Sequence, residues 1–282
     1  MKYVKLILVL FCLLWAMPLF SEESSEDFVI HHLINGPAWH PFPGVSIPLP
    51  PGFQLGGLRM DFSLHLTMML IACLILFVLF VLLYRKRSDS APKGITNLLE
   101  VMVIFVRDEI CISYLGEKDG RRLASIFLSF FFLVLVMNLM GLIPLFATAT
   151  ANINVTTALA LLTMFMMVLG GIVKNGPIGF LKLFLPPGVP KILYIILFPM
   201  ELLGLFTRPL ALTLRLFANM MGGHLVILSF ISLIIKFGAA GLPFSLLVLF
   251  IYCLEVLVAF LQAFIFTMLS AMFVGMMMHP SH

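Results

Sequence analysis

The chain has 282 residues, 62% of them hydrophobic and only 11% charged, with a formal charge of +4. A soluble globule of that size needs far more polar surface, so lipid must solvate much of this chain and it reads as an integral membrane protein. The small net charge gives no footprint for a nucleic-acid partner, and four scattered cysteines (Cys12, Cys73, Cys111, Cys253) have no paired spacing, so neither a disulfide nor a metal site is expected.

In chain order, Lys2 and Lys5 precede an apolar run and then the acidic stretch "SEESSED". That run is short for a crossing and normal for an export signal, so residues 1–21 are read as one, with an uncleaved anchor as the alternative. Residues 22–64 form an exported segment in which His31, His32, Trp39 and His40 accompany the proline-dense "HPFPGVSIPLPPG". Prolines disfavour helix and strand interiors, so an extended surface loop is expected; the histidines suit a wet loop as well as a metal.

From residue 65 the chain reads as an all-α membrane domain to its end, with about five crossings. The first, 65–84, stops at Arg85, Lys86 and Arg87, a basic cluster that marks a cytoplasmic end. Between Pro92 and Leu115, Lys93, Thr96, Asn97, Glu100, Arg107, Asp108 and Cys111 recur at helical spacing opposite leucines, valines and phenylalanines. That pattern predicts an amphipathic helix lying in the cytoplasmic interface. The loop "GEKDGRR" ends it, and a second span covers 123–146 with Asn138 as its main polar interruption. After the polar turn "ATATANIN" a third span covers 155–173, and a Pro/Gly-rich loop flanked by Lys174, Lys182 and Lys191 follows.

Two long apolar stretches remain, 192–235 and 242–278, separated by "KFGAAGLP". At ~1.5 Å per residue each is roughly 55–65 Å long if helical throughout, about twice the hydrocarbon core. Strong tilt explains that better than a break, giving a long, tilted antiparallel hairpin. An exported N-terminus and five crossings put the C-terminus in the cytoplasm and almost all loop lysines and arginines with it.

Ionisable residues inside membrane segments are rare and mark function by default. The hairpin holds Glu201, Arg208, Arg215, His224 and Glu255, with Asn219 and Gln262 beside them. Seven-residue steps put Glu201, Arg208 and Arg215 on one helix face, with Asn219 one turn further; Glu255 and Gln262 share a face of the other helix. If the antiparallel register centres on Gly238, Arg215 faces Gln262, and His224 faces Glu255 nearer the turn. Glu201 lies about 21 Å from Arg215 in the other direction. No acidic hairpin residue shares the level of Arg215, and a guanidinium keeps its proton, so a counter-charge from another subunit is expected. Arg208 beside Pro209 can instead snorkel to the interface, His224 and Glu255 can form a neutralised pair, and Asn138 and Asn219 can serve as interhelical partners only.

The stretches "RPLALTLRLFANMMGGH", "NLMGLIP", "ANINVTTALAL" and "LQAFIFTMLS" resemble the motifs of subunit a of the F-type ATP synthase, from about residue 60 to the C-terminus. The resemblance implies a stator subunit in a bacterial plasma membrane, held with peripheral-stalk b subunits and the rest of the complex. A ring of hairpin c subunits, each with one essential carboxylate, would turn against Arg215. By the same resemblance His224, Glu255 and Asn219 belong to an outer half-channel, Glu201 to an inner one, and Gln262 supports the arginine, with H+ or Na+ as the coupling ion. Two departures stand out: His224 precedes Glu255, whereas some bacterial members carry the acid first, and Gly141 stands where some relatives have an aspartate. No GxxxxGK[ST] loop is present, so no ATP-hydrolysing site, catalytic residue or cofactor is expected in this chain. The competing reading is a secondary transporter or ion channel that uses the hairpin charges as its own site; the lack of an internal repeat counts against it.

Overall fold

The computed structural model describes residues 38–42, 45–49, 53–55, 58–60, 63–83, 94–143, 146–185, 190–238 and 242–279. The expected export signal at 1–21, His31, His32, the side chain of His40 and the basic cluster Arg85–Arg87 lie outside the described residues. Within the segment read as a loop, two short antiparallel hairpins occur: β1 (Ala38–Phe42) pairs with β2 (Val45–Pro48), and β3 (Phe53–Leu55) with β4 (Leu58–Met60). The correction has a simple cause, because every strand of a two-stranded ladder is an edge and an edge tolerates proline. Trp39 stacks on Phe146, which ties the first hairpin to the helical body.

Helix α1 (Leu64–Phe77) is started by Ser63, whose hydroxyl accepts from the Leu66 amide at 3.2 Å, and it continues as π-helix over Val78–Leu83. Helix α2 (Ile95–Phe105) runs through a π-helical stretch, Val106–Ile112, into α3 (Ser113–Gly141). The path breaks at Gly116, whose φ of 78° only glycine adopts cheaply. The break falls at the first residue of the expected "GEKDGRR" loop, but the rest of that loop is the first turn and a half of the next helical stretch. Arg121 pairs with Glu117 one turn back, and Gly120 packs so close that an added Cβ would lie 2.6 Å from the Cys111 carbonyl oxygen. Along α2 and the π-helical stretch after it, Leu99, Val106, Ile110 and Cys111 are buried while Ile95, Leu98, Val101 and Ile104 are exposed, so apolar groups occupy both sides.

Helix α3 ends at Gly141 rather than at residue 146, because Pro144 disfavours helix at the residue before it. A 3₁₀ turn, Ala149–Ala151, then leads to Asn152, whose side chain accepts from the Asn154 amide at 2.9 Å and caps α4 (Ile153–Lys182). Helix α4 also outruns its expected end. Gly176 (φ 74°) repeats the corner seen at Gly116, and Pro177 starts a new turn where its missing N–H costs nothing, so residues read as loop are helical.

After a 3₁₀ turn, Lys191–Leu193, α5 (Tyr194–Phe237) and α6 (Leu242–Met278) form the hairpin, each as one helix despite Pro199 and Pro209 in α5. Among the described residues, five helical stretches are long and apolar enough to cross a membrane. Helices in lipid gain little from the hydrophobic effect against one another, so small side chains that permit close backbone approach hold them together. Accordingly α6 buries Ala259, Ala263, Thr267, Ser270 and Ala271 at helical spacing, and an added Cβ on Gly275 would lie 2.3 Å from the Tyr114 carbonyl oxygen. Phe127, Phe130 and Phe266 fill the seam between α3 and α6 with edge-to-face rings. At the far end from the hairpin turn, Asp119 of α3 accepts from Lys174 of α4 and lies 3.0 Å from His279 just past α6, so three helix ends meet at one carboxylate.

Candidate functional site

Arg215 is exposed on α5 and, among the described residues, makes no ion pair or hydrogen bond. Apart from Asn219 one turn on, its neighbours are apolar or small: Leu214 is exposed, and Ala211, Ala218 and Gly222, at four before and three and seven after the arginine, are open. An added Cβ on Gly222 meets nothing within 4 Å. The outer surface of the hairpin therefore carries a permanent cation in a shallow, small-residue strip.

Two turns away from the hairpin turn, Arg208 has what Arg215 lacks. Its Nη2 lies 3.8 Å from Glu201 Oε2 and its guanidinium carbon 5.9 Å from the centre of the Phe273 ring. The seven-residue spacing does bring Glu201 and Arg208 together, as a loose pair. Gln262 is 2% exposed and accepts from the Asn219 amide at 2.7 Å, so it meets Asn219, one turn nearer the hairpin turn, rather than Arg215. The chemistry explains the offset from the expected register. Two amides satisfy one another in apolar surroundings, whereas one amide oxygen cannot serve the five donors of a guanidinium.

Nearer the turn, the expected His–Glu layer also takes a different form. Glu255 (8% exposed) packs against Gly223, where an added Cβ would sit within 1.4 Å of Oε1, and its Oε2 is buried with no hydrogen-bond partner among the described protein atoms. His224 turns away, toward the end of α3: Nδ1 is 2.9 Å from the Met220 carbonyl oxygen, and Nε2 is 2.8 Å from the Gly141 carbonyl oxygen and 2.7 Å from Thr148 Oγ1. Asn138, buried, donates to the Ala259 carbonyl oxygen at 3.4 Å, a bond between α3 and α6 of the kind that holds helices in lipid.

Sequence reasoning did not find the neighbours at this corner. In the sequence Thr148 is part of a polar turn, Gly141 stands out for the side chain it lacks, and no motif marks Tyr252, which donates to the Leu142 carbonyl oxygen at 2.6 Å. Tyr252 was findable, being three residues before Glu255 and so on its face of α6. The Gly141 and Leu142 carbonyls were not, because what exposes them is the end of α3 at a proline.

Among the described residues, five apolar helices of crossing length, with two arginines, two glutamates and a histidine set within the longest hairpin, define a multi-pass membrane protein. Residues 66–275 match the family model described as ATP synthase A chain. The chain is 42% identical over 266 residues to ATP synthase subunit a of Chlorobium phaeobacteroides (strain BS1), an alignment covering 91% of this chain and 77% of that protein. It is 44% identical over 268 residues to ATP synthase subunit a of Chloroherpeton thalassium, covering 93% and 80%. With Myxococcus xanthus ATP synthase subunit a the identity is 43% over 239 residues, covering 82% and 78%. The chain belongs to the ATP synthase A chain family.

Proposed function

We propose that this chain is the ion-conducting stator subunit of an F-type ATP synthase in a bacterial plasma membrane, with its N-terminus outside and its C-terminus in the cytoplasm. The observation that carries the reading is Arg215, an exposed cation without a partner among the described residues on a hairpin surface of leucine, alanine and glycine. An arginine at the centre of a membrane helix costs ~2.5–3.5 kcal/mol on insertion scales, so such a face needs an anionic partner in another chain. A ring of c subunits, each with one carboxylate, supplies that partner transiently, and Ala211, Ala218 and Gly222 leave room for a ring helix to approach.

In this reading Arg215 keeps each passing carboxylate ionised while it is between proton exchanges, and never exchanges a proton itself. Two half-channels then end on either side of it. His224, Glu255 and Asn219 serve the outer one, where an imidazole beside buried polar groups suits proton relay; Glu201, paired with Arg208, serves the inner one. Gln262 acts through Asn219 rather than by touching the arginine. The helix 95–115, with its exposed Ile95, Leu98 and Val101, lies in the cytoplasmic interface, and the peripheral-stalk b subunits hold the assembly against rotation.

The test is Arg215→Lys in the intact complex. The lysine variant assembles, and ion-driven ATP synthesis falls by at least about a hundredfold, because a flexible ammonium loses its proton more readily and lacks the planar fork. Near-parental coupled synthesis at normal assembly would reject the stator reading and leave Arg215 as a static surface charge.

A further inference from the structure

The surroundings of His224 contain a conflict that one hydroxyl resolves. Its two ring nitrogens both face carbonyl oxygens, Met220 at 2.9 Å from Nδ1 and Gly141 at 2.8 Å from Nε2. A neutral imidazole has a single N–H, so it can donate to one of these oxygens only, and its other nitrogen then presents a lone pair to an acceptor. Thr148 Oγ1 stands 2.7 Å from the same Nε2 and 3.5 Å from the Gly141 oxygen, and Thr148 is 3% exposed.

We propose that Thr148 is a positioning residue for proton transfer through His224, a buried hydroxyl that serves both protonation states of the imidazole by rotating its hydrogen between Nε2 and the Gly141 carbonyl. When His224 is neutral, Nδ1–H donates to Met220 and the Thr148 O–H donates into the Nε2 lone pair. When Nε2 gains a proton, that N–H donates to the Gly141 oxygen or to Thr148 Oγ1, and the hydroxyl hydrogen turns toward Gly141. No heavy atom has to move, so the switch needs no reorganisation of packed side chains. The methyl of Thr148 fixes the hydroxyl in place: an added Cβ on Gly141 would lie 2.6 Å from Thr148 Cγ2, so only glycine at 141 lets the threonine lie against it.

The titratable groups on elements packed against this corner are Glu255 and Tyr252 of α6, with exposed Cys253 between them, and His65 at the start of α1, while the described residues at the end of α3 and in the following turn carry no titratable side chain. Tyr252 is committed to the Leu142 carbonyl at 2.6 Å. Thr148 is therefore the neutral group at Nε2 that can both donate and accept.

The inference rests on the outer half-channel reading of His224, and the experiment separates the two. The intact complex is reconstituted in liposomes, and ATP synthesis driven by a pH gradient is measured across a series of outer pH values for the parent, Thr148→Val, Thr148→Ser and His224→Ala. Thr148→Val keeps the shape, loses the hydroxyl, lowers the rate about five- to tenfold at normal assembly and alters the outer-pH profile. Thr148→Ser restores the rate to within about twofold, since it keeps a rotatable O–H. If His224→Ala is slow and Thr148→Val matches the parent at every pH, the positioning role of Thr148 is overturned and the half-channel stands. If the serine variant is as slow as the valine variant, packing rather than the hydroxyl matters, which also overturns it. A parental rate in His224→Ala would overturn the half-channel reading itself.

Discussion

Gly223→Ala is the substitution whose consequence follows most directly from distance. A Cβ built on Gly223 lies within 1.4 Å of Glu255 Oε1, 2.6 Å from its Cδ and 3.3 Å from its Cγ, whereas ordinary contacts between such atoms are ~3.5–4 Å. The clash is with the far end of a flexible side chain, so the helices need not separate; the carboxyl must retreat by about 2 Å instead. Holding the displaced glutamate about 30° off its rotamer costs ~0.5–1.5 kcal/mol, which slows a proton transfer that bears this cost about two- to twelvefold. The complex should assemble normally and, in proteoliposomes, make ATP from a pH gradient at a rate reduced within that range. A second variant isolates the cause: Gly223→Ala with Glu255→Asp withdraws the carboxyl by one carbon–carbon bond, ~1.5 Å, and should lose less than the product of the two single effects. Single-variant rates within about 1.5-fold of the parent, or multiplicative losses in the double variant, would refute a role for this contact.

Asn219→Ala should destabilise the protein more than Gln262→Leu, because Gln262 is 2% exposed and its oxygen would be stranded while Asn219 at the surface can turn elsewhere. The expected costs are about 1–3 kcal/mol and about 0.6–1.7 kcal/mol, read from thermal melts of the purified complex; equal or reversed costs would contradict the burial argument. Gly275→Ala should sharply reduce the amount of this subunit in membranes, since the Tyr114 backbone oxygen 2.3 Å from the new Cβ cannot swing away. Gly176→Ala should be milder, with a strain of roughly 1–2 kcal/mol from its positive φ and open space around the Cβ, and immunoblots of membrane fractions distinguish the two. Gly222→Val should leave assembly intact, because nothing lies within 4 Å, yet slow coupled synthesis by crowding an approaching ring helix; an unchanged rate would place the ring elsewhere.

The spans were legible because twenty apolar residues in a row have few other uses, and the ionisable hairpin residues were legible because charge is rare in such runs. What sequence reasoning lost was whatever depends on where a helix stops or on which atoms of two helices meet. "GEKDGRR" has the composition of a loop, yet only Gly116 leaves the helix, and the Gly-Pro pair at 176–177 bends a helix that composition ended at residue 173. Counting an antiparallel register from the turn fixed Glu255 to within a residue, against Gly223, but missed Gln262 by a turn. Residue counting knows nothing of hydrogen-bond valence. His224 was found and its partners were not, since two of them are backbone carbonyls that no side-chain pattern records.

The isolation of Arg215 is a property of its neighbours as much as of the residue. Glu201, the acid on its face of α5, is about four turns away and lies against Arg208, which intercepts it at 3.8 Å. Gln262, the amide nearest in register, is occupied by Asn219 at 2.7 Å. Glu255 is buried beyond reach, packed on Gly223 behind the exposed strip. Each local group that can accept from a guanidinium is thus engaged or turned inward, while Ala211, Ala218 and Gly222 keep the surface around the arginine low. In the proposed stator, were any one of these acceptors to bind Arg215 permanently, a ring carboxylate would have to displace it at every step and the barrier to rotation would rise by the strength of that pair. A hairpin that engages these acceptors internally or turns them inward leaves Arg215 as a cation whose strong partner, in the proposed stator, arrives from outside.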